Sequence, residues 1–245
     1  MKLNFYIILL LLLSFVVKAD QIFELIKIPN LTLHKLENKN SLAFLKPTKD
    51  FFVGSSSENV SCKKNQSQNF NEKYLEAQKG FNKYNDDFFR KIKLKYIVLC
   101  SELEIAGIPA LGFANPEMKT LIFNINTNNS NFERVLHHEV FHIIEHNFNK
   151  YFLNISWSDL NLKEFKYSAC STCSNNYSLE KIYNSKGFVS EYAKSTISED
   201  MAETFSFMMS DNYLILDMIS KDEILNKKVK LIENLVNKLD AKHQF

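Results

Sequence analysis

An α+β fold is what this sequence predicts, built from a small sheet, one long buried helix and a helical C-terminal part. Three observations lead there. Strand-like runs at Tyr96-Ile97-Val98-Leu99 and over residues 120–126 stand just ahead of a stretch in which Phe132, Val135, Leu136, Val140, Phe141, Ile143 and Ile144 surround successive helical turns. Residues 198–209 form a second amphipathic pattern, with Met201, Phe205 and Met208 spaced to face a core. Beyond it, Leu214, Ile215, Ile219, Ile224, Val229, Ile232 and Leu235 recur among many lysines, as in a closing helix pair.

From the N-terminus, Lys2 is followed by residues 7–17, nearly all Leu, Ile, Phe and Val, and then by Val17-Lys18-Ala19. One early positive charge, a short apolar core and a small residue before a cut after Ala19 describe an export leader, and imply a secreted or periplasmic protein. An uncleaved anchor is the alternative, although the run is short for a bilayer span. No later segment has the length and apolarity of a span, so stable membrane insertion after leader removal is not expected. Residues 20–71 mix short apolar runs with polar clusters and read as a few strands and loops. Tyr74, Leu75, Phe81, Tyr84, Phe88 and Phe89 fit one long packing helix over residues 72–92. The turn-rich stretch from Gly107 to Ala114 then leads to the strand at 120–126. Asn129-Ser130-Asn131 offers capping side chains for the helix that follows.

Composition narrows the partners. With 30 Lys+Arg against 28 Asp+Glu, a net charge of +2 and the two signs interspersed, there is neither a nucleic-acid stripe nor a polybasic membrane patch. The 4 cysteines of an exported chain read as two disulfides, most simply Cys62 with Cys100 and Cys170 with Cys173, although three pairings exist. The Cys170-x-x-Cys173 spacing suits a loop staple better than a redox or zinc motif. Asn-x-Ser/Thr sequons at Asn30, Asn59, Asn65, Asn128, Asn154 and Asn176 matter only in a host that glycosylates.

The chemistry concentrates in His138-Glu139-Val140-Phe141-His142. Histidines four apart stand on one helical face and can reach a single ion, and the glutamate between them is placed to act as a base toward water at that ion. A catalytic zinc takes a third protein ligand. Glu199 and Glu203, also four apart, supply two carboxylates on one face of the second helix, and one would ligate while the other orients a ligating histidine. His137 should point away from the ion, and His146 lies a turn beyond it.

These residues resemble a known group. His138 to His142, followed much later by Tyr192-Ala193 and by Glu199-Asp200-Met201-Ala202-Glu203, is similar to the gluzincin metallopeptidases related to the anthrax lethal factor catalytic domain and the Pro-Pro endopeptidases. It is similar too to a broader set of zinc-binding metallopeptidases carrying the same Tyr-Ala and Glu-Asp-x-Ala-Glu signature. The resemblance implies a zincin-like fold and one zinc ion held by His138, His142 and Glu199. In that reading Glu139 is the general base, Tyr192, seven residues before Glu199, is the donor to the oxyanion, and Glu203 stands behind a ligand. It further implies that residues 120–126 form the edge strand lining the cleft and pairing with an extended substrate. The likeness covers about residues 95–210, and within it residues 150–190, with Cys170 and Cys173, match nothing in the group.

The expectation is therefore an exported, monomeric zinc endopeptidase acting on peptides or proteins. It would comprise a leader (1–19), an N-terminal segment with a packing helix (20–94) and a zincin catalytic domain (95–245). Two rivals have different consequences: a zinc-holding binding module without turnover, or a protease inhibited by its own residues 20–71.

Overall fold

A computed structural model describes residues 30–37, 40–54, 59–64, 69–126, 129–152, 156–172 and 185–240. The expected leader and the sequons at Asn65, Asn128, Asn154 and Asn176 lie outside these residues. The fold is mixed α+β, with two small sheets and seven α-helices among the described residues.

Strands β1 (Leu31–Leu36), β2 (Ala43–Pro47), β5 (Tyr96–Cys100), β9 (Thr120–Asn124) and β8 (Gly112–Asn115) form the larger sheet in the order β1-β2-β5-β9-β8. The β2-β5 and β5-β9 pairs are parallel, and both outer pairs are antiparallel. The smaller sheet runs β3 (Phe51–Gly54), β4 (Asn59–Cys62), β6 (Leu103–Ile105), β7 (Ile108–Pro109). It covers one face of the larger sheet, and the helices cover the other. Alternation along β5 shows this directly: Ile97 and Leu99 enter the main core with the helices, whereas Val98 and Cys100 join Phe51, Cys62 and Leu103 beneath the small sheet. A strand buried on both faces needs an unbroken apolar run, which is what Tyr96 to Cys100 is. The Cys62–Cys100 disulfide, with Cα atoms 5.5 Å apart, ties the two sheets together. Cys170 is also disulfide-bonded, and Cys173 lies outside the described residues.

Two expectations are corrected. Residues 120–126 do not form the edge of the sheet: β9 is interior, and the outer strand is β8, drawn from the stretch read as turns. Leu121-Ile122-Phe123 is continuously apolar because both of its faces are buried, the mark of an interior strand. β8 hides because a four-residue strand beside turn-forming residues leaves little alternation to read. The second correction concerns residues 72–92, which make two helices, α1 (Phe70–Phe81) and α2 (Phe88–Lys91). Asn82, Asn85, Asp86 and Asp87 favour turns over a continuing helix, and Tyr84 keeps helical spacing because it packs inward between the two.

The long helix α3 (Asn129–Asn147) crosses the helical face of the sheet beside β8 and β9, and begins at the residues expected to precede it. The short α4 (Asn149–Phe152) follows, then α5 (Ile197–Ser210), packed along α3. The expected closing pair is present as α6 (Asn212–Lys221) and α7 (Glu223–Leu239). Both helices begin at an aspartate, Asp211 or Asp222, whose side chain accepts a backbone N–H of the first turn. No helix among the described residues is long and apolar enough to cross a membrane.

Candidate metal centre and active site

α3 is buried on most sides, with Phe132, Leu136, Val140, Phe141, Ile143 and Ile144 fully enclosed. His138 and His142 come off the side that faces α5 and the short 3-10 turn Tyr192–Lys194. Thr196 caps α5 by accepting the Glu199 backbone N–H at 3.2 Å, which puts Glu199 in the first turn. Thr196-Ile197-Ser198-Glu199 has the sequence of a capping box, in which the glutamate would fold back on the cap. Here its carboxylate is turned toward the histidines instead.

The resulting triangle is tight. His138 Nε2 lies 3.1 Å from His142 Nε2 and 2.9 Å from Glu199 Oε2, and His142 Nε2 lies 3.4 Å from the same oxygen. A tetrahedral ion with ligands at about 2.0–2.1 Å sets them about 3.3 Å apart, so the three atoms fit three corners of a zinc site. Glu199 Oε2 is buried with no hydrogen-bond donor aligned on it, as expected of an oxygen whose partner is a metal. These three residues form the one group of His, Cys, Asp and Glu among the described residues that could hold a metal ion.

Electrostatics follow from the same contacts. Burial alone would raise the Glu199 carboxyl, but His138 and His142 hold it well below the usual carboxylate range. Burial lowers His138, and Glu199 and Glu203 more than offset it, holding the imidazole well above its ordinary value. For His142, burial is likewise outweighed by Glu145 and Glu199, which push it up to about 9. An imidazole between carboxylates is a site where a cation, proton or metal, is favoured.

Glu203 Oε1 lies 2.9 Å from His138 Nδ1, and Ser190 Oγ donates to Glu203 Oε2 at 2.5 Å. The same serine oxygen accepts the Ala193 N–H at 3.1 Å, linking the support of His138 to the turn that carries Tyr192. The Tyr192 ring centroid is 5.9 Å from that of His138, and burial followed by the Glu199 charge keeps its phenol protonated far above neutral pH. Glu139, between the two histidines in sequence, stands against β8 while remaining close enough to His138, His142 and Tyr192 to interact with their charges. Burial raises its carboxyl, an effect that the two imidazoles and the Ala114 backbone N–H partly offset.

His137 is buried away from this cluster, with Nδ1 2.7 Å from the Tyr84 hydroxyl. His146 is exposed and lies 3.4 Å from Glu117. Asp200 belongs to neither cap nor centre: its Oδ2 accepts from Trp157 Nε1 at 2.8 Å and pairs with fully buried Lys228 at 2.6 Å. Sequence reasoning missed Gly112, Ala114, Ser190, Glu145 and Ser198. Only Gly112 carried a signal, a glycine in the turn-rich stretch ahead of the strand at 120–126.

Comparison with known families adds one decisive match. Residues 72–245 fit the model of a family described as "Putative zinc-binding metallo-peptidase". The chain belongs to this family. The match takes in most of α1, both sides of the histidine pair and the closing helices, so membership extends well beyond the short motifs. No curated protein and no solved structure matches the chain. Membership in this family points to zinc-dependent peptidase chemistry.

Proposed function

We propose that this chain is an exported zinc endopeptidase in which His138, His142 and Glu199 hold the ion, Glu139 is the general base and Tyr192 supports the oxyanion. The observation that carries the reading is the convergence of the three ligand atoms within 3.4 Å of one another, next to a buried Glu139. When bound, zinc supplies a Lewis acid that polarises the scissile carbonyl and lowers the pKa of water.

The residues divide the remaining work. Glu139, its proton affinity raised by burial, takes the proton of the attacking water and passes it to the leaving amine. Tyr192 donates its hydroxyl hydrogen to the carbonyl oxygen as negative charge gathers there. Glu203 accepts from His138 Nδ1 and so leaves Nε2 to the metal. β8, the outer strand beside α3, offers its outer edge to an extended peptide backbone, a mode of recognition tolerant of sequence. Gly112 lets that edge come close to Glu139. Kinship with the lethal factor group rests on the spacing of Tyr192 and Glu199, and export rests on the leader read in residues 1–19.

The test is cleavage of an unbiased peptide library, with Glu139→Ala and chelator-treated protein as controls. Cuts lost in both controls are expected. Cuts that persist after complete metal removal overturn the reading, as does a zinc-loaded protein that cuts no member of the library.

A further inference from the structure

When one ring nitrogen of a histidine binds a metal, the other carries hydrogen and needs an acceptor. His138 has Glu203 for this. The His142 Nδ1 faces a different arrangement: Ser198 Oγ at 3.4 Å and Glu145 Oε2 at 3.6 Å, with Ser198 Oγ donating to that carboxylate oxygen at 2.5 Å. A hydroxyl has a single hydrogen to give. Committing it to Glu145 turns the serine lone pairs toward His142, so the hydrogen bonds run from Nδ1–H to Ser198 Oγ and from Ser198 to Glu145.

We propose that Ser198 and Glu145 are a positioning pair that holds His142 in the tautomer presenting Nε2 to the metal. Ser198 directly precedes Glu199 in the first turn of α5, and Glu145 lies three residues after His142 on α3. One contact therefore orients a histidine and fixes the spacing of the two helices that bring in the metal-facing groups. The same two residue types stand behind the other imidazole in the opposite order, with Glu203 directly on His138 Nδ1 and Ser190 donating to Glu203. It differs in exposure, since the Glu145 side chain is 25% exposed and that of Glu203 1%. Loss of the Glu145 pair should therefore loosen the metal without unfolding the protein.

This inference rests on the reading of His142 as a zinc ligand, and the test separates the two. Zinc dissociation constants of the full chain and its Glu145→Ala, Glu145→Gln, Ser198→Ala and Glu117→Ala variants would be measured by competition with a chromophoric chelator. Nitrogen-proton correlation spectra of the zinc-loaded proteins would report the His142 tautomer, and unfolding midpoints of the metal-free proteins would report the fold. Glu145→Ala and Ser198→Ala should bind zinc about 10- to 100-fold more weakly, with unchanged metal-free midpoints and a mixed His142 tautomer. Glu145→Gln, whose amide oxygen still accepts from Ser198, should recover most of the loss. Glu117→Ala, at the exposed His146, should match wild type. Wild-type affinity and tautomer in both Glu145→Ala and Ser198→Ala overturn the pair while leaving the zinc site standing. A wild-type protein without zinc affinity overturns the site and the pair together.

Discussion

Gly112 on β8 and Glu139 on α3 are so close that no side chain fits between them: a Cβ at position 112 would stand 2.7 Å from Glu139 Cγ and 2.9 Å from Val135 Cγ1. Contacts that short force something to move, and the Glu139 side chain is the more mobile party. Gly112→Ala should therefore displace the carboxylate by an ångström or so while leaving the metal-facing groups in place. Turnover is expected to fall about a hundredfold with zinc content unchanged, the scale for a catalytic group misplaced by that much. Measuring kcat beside bound zinc decides it: normal turnover would mean that Glu139 is not the base.

Glu199 and Glu203 occupy the same face of α5 but meet different atoms, Glu199 the two Nε2 nitrogens and Glu203 the His138 Nδ1. Removing them should have unequal effects. Glu199→Ala is expected to lose most of its zinc, whereas Glu203→Gln should weaken zinc about 10- to 100-fold, the usual cost of losing a partner behind a ligand. Elemental analysis after dialysis against a weak chelator ranks the two, and the reverse order would exchange their roles.

Tyr192→Phe removes one hydroxyl beside His138 and Glu199 while keeping the ring that packs there. If that hydroxyl meets charge only as the carbonyl oxygen becomes negative, kcat should fall about a hundredfold with KM nearly unchanged. Steady-state kinetics on a single cleaved peptide suffice. A change confined to KM would make Tyr192 a substrate-binding group.

Asp200 and Lys228 are both fully buried, and Lys228 also donates to the Gly187 carbonyl at 2.7 Å while its ammonium lies 4.1 Å from the Phe188 ring centroid. Lys228→Met leaves the Asp200 carboxylate buried beside Trp157 without its cation, which should cost about 3–5 kcal/mol of unfolding free energy. Adding Asp200→Asn removes the stranded charge, so the double variant should be more stable than Lys228→Met alone. Denaturant unfolding of wild type, Lys228→Met, Asp200→Asn and the double variant gives the coupling, and simple additivity would show that the pair does not interact.

What could be read from the sequence was local or strongly periodic. His138, Glu139 and His142 share one helix, Glu199 and Glu203 another, and Tyr96 to Cys100 is a continuous apolar run, so each shows in a short window. The Cys62 and Cys100 pairing was the simplest of those available, and the sheets do meet there. The groups that missed attention are set by long-range packing: His137 finds Tyr84 across 53 residues, Ser198 finds Glu145 across 53, and Lys228 finds Asp200 across 28. No spacing rule announces such partners. The edge strand failed for another reason. Gly112 serves the close approach of β8 to α3, and in sequence a glycine required by tertiary contact looks the same as one required by a turn.

Acid should weaken the fold through Glu133, one turn ahead of the histidine pair on α3. Its Oε1 lies 2.7 Å from Lys83 Nζ and 3.7 Å from His137 Nε2, and His137 and Lys83 together hold the carboxyl at about 2 against an ordinary 4.5. Burial meanwhile keeps His137 below its ordinary value, so a neutral ring takes the Tyr84 hydroxyl hydrogen at Nδ1 and faces Glu133 with Nε2–H. A depressed carboxyl binds its proton less readily folded than unfolded, so its stabilisation is complete above pH 4.5 and drains away as pH falls toward about 2. Lys83 also donates to the Met209 carbonyl at 2.6 Å, so this carboxylate helps to clamp the segment after α1, α3 and the end of α5. In urea titrations, Glu133→Gln should be less stable than wild type at pH 6, and the two stability curves should converge on approaching pH 2. Because other carboxylates titrate alike in both proteins, it is the difference between the curves that isolates Glu133. A constant gap across that range would show that the stabilising role of Glu133 does not depend on its charge.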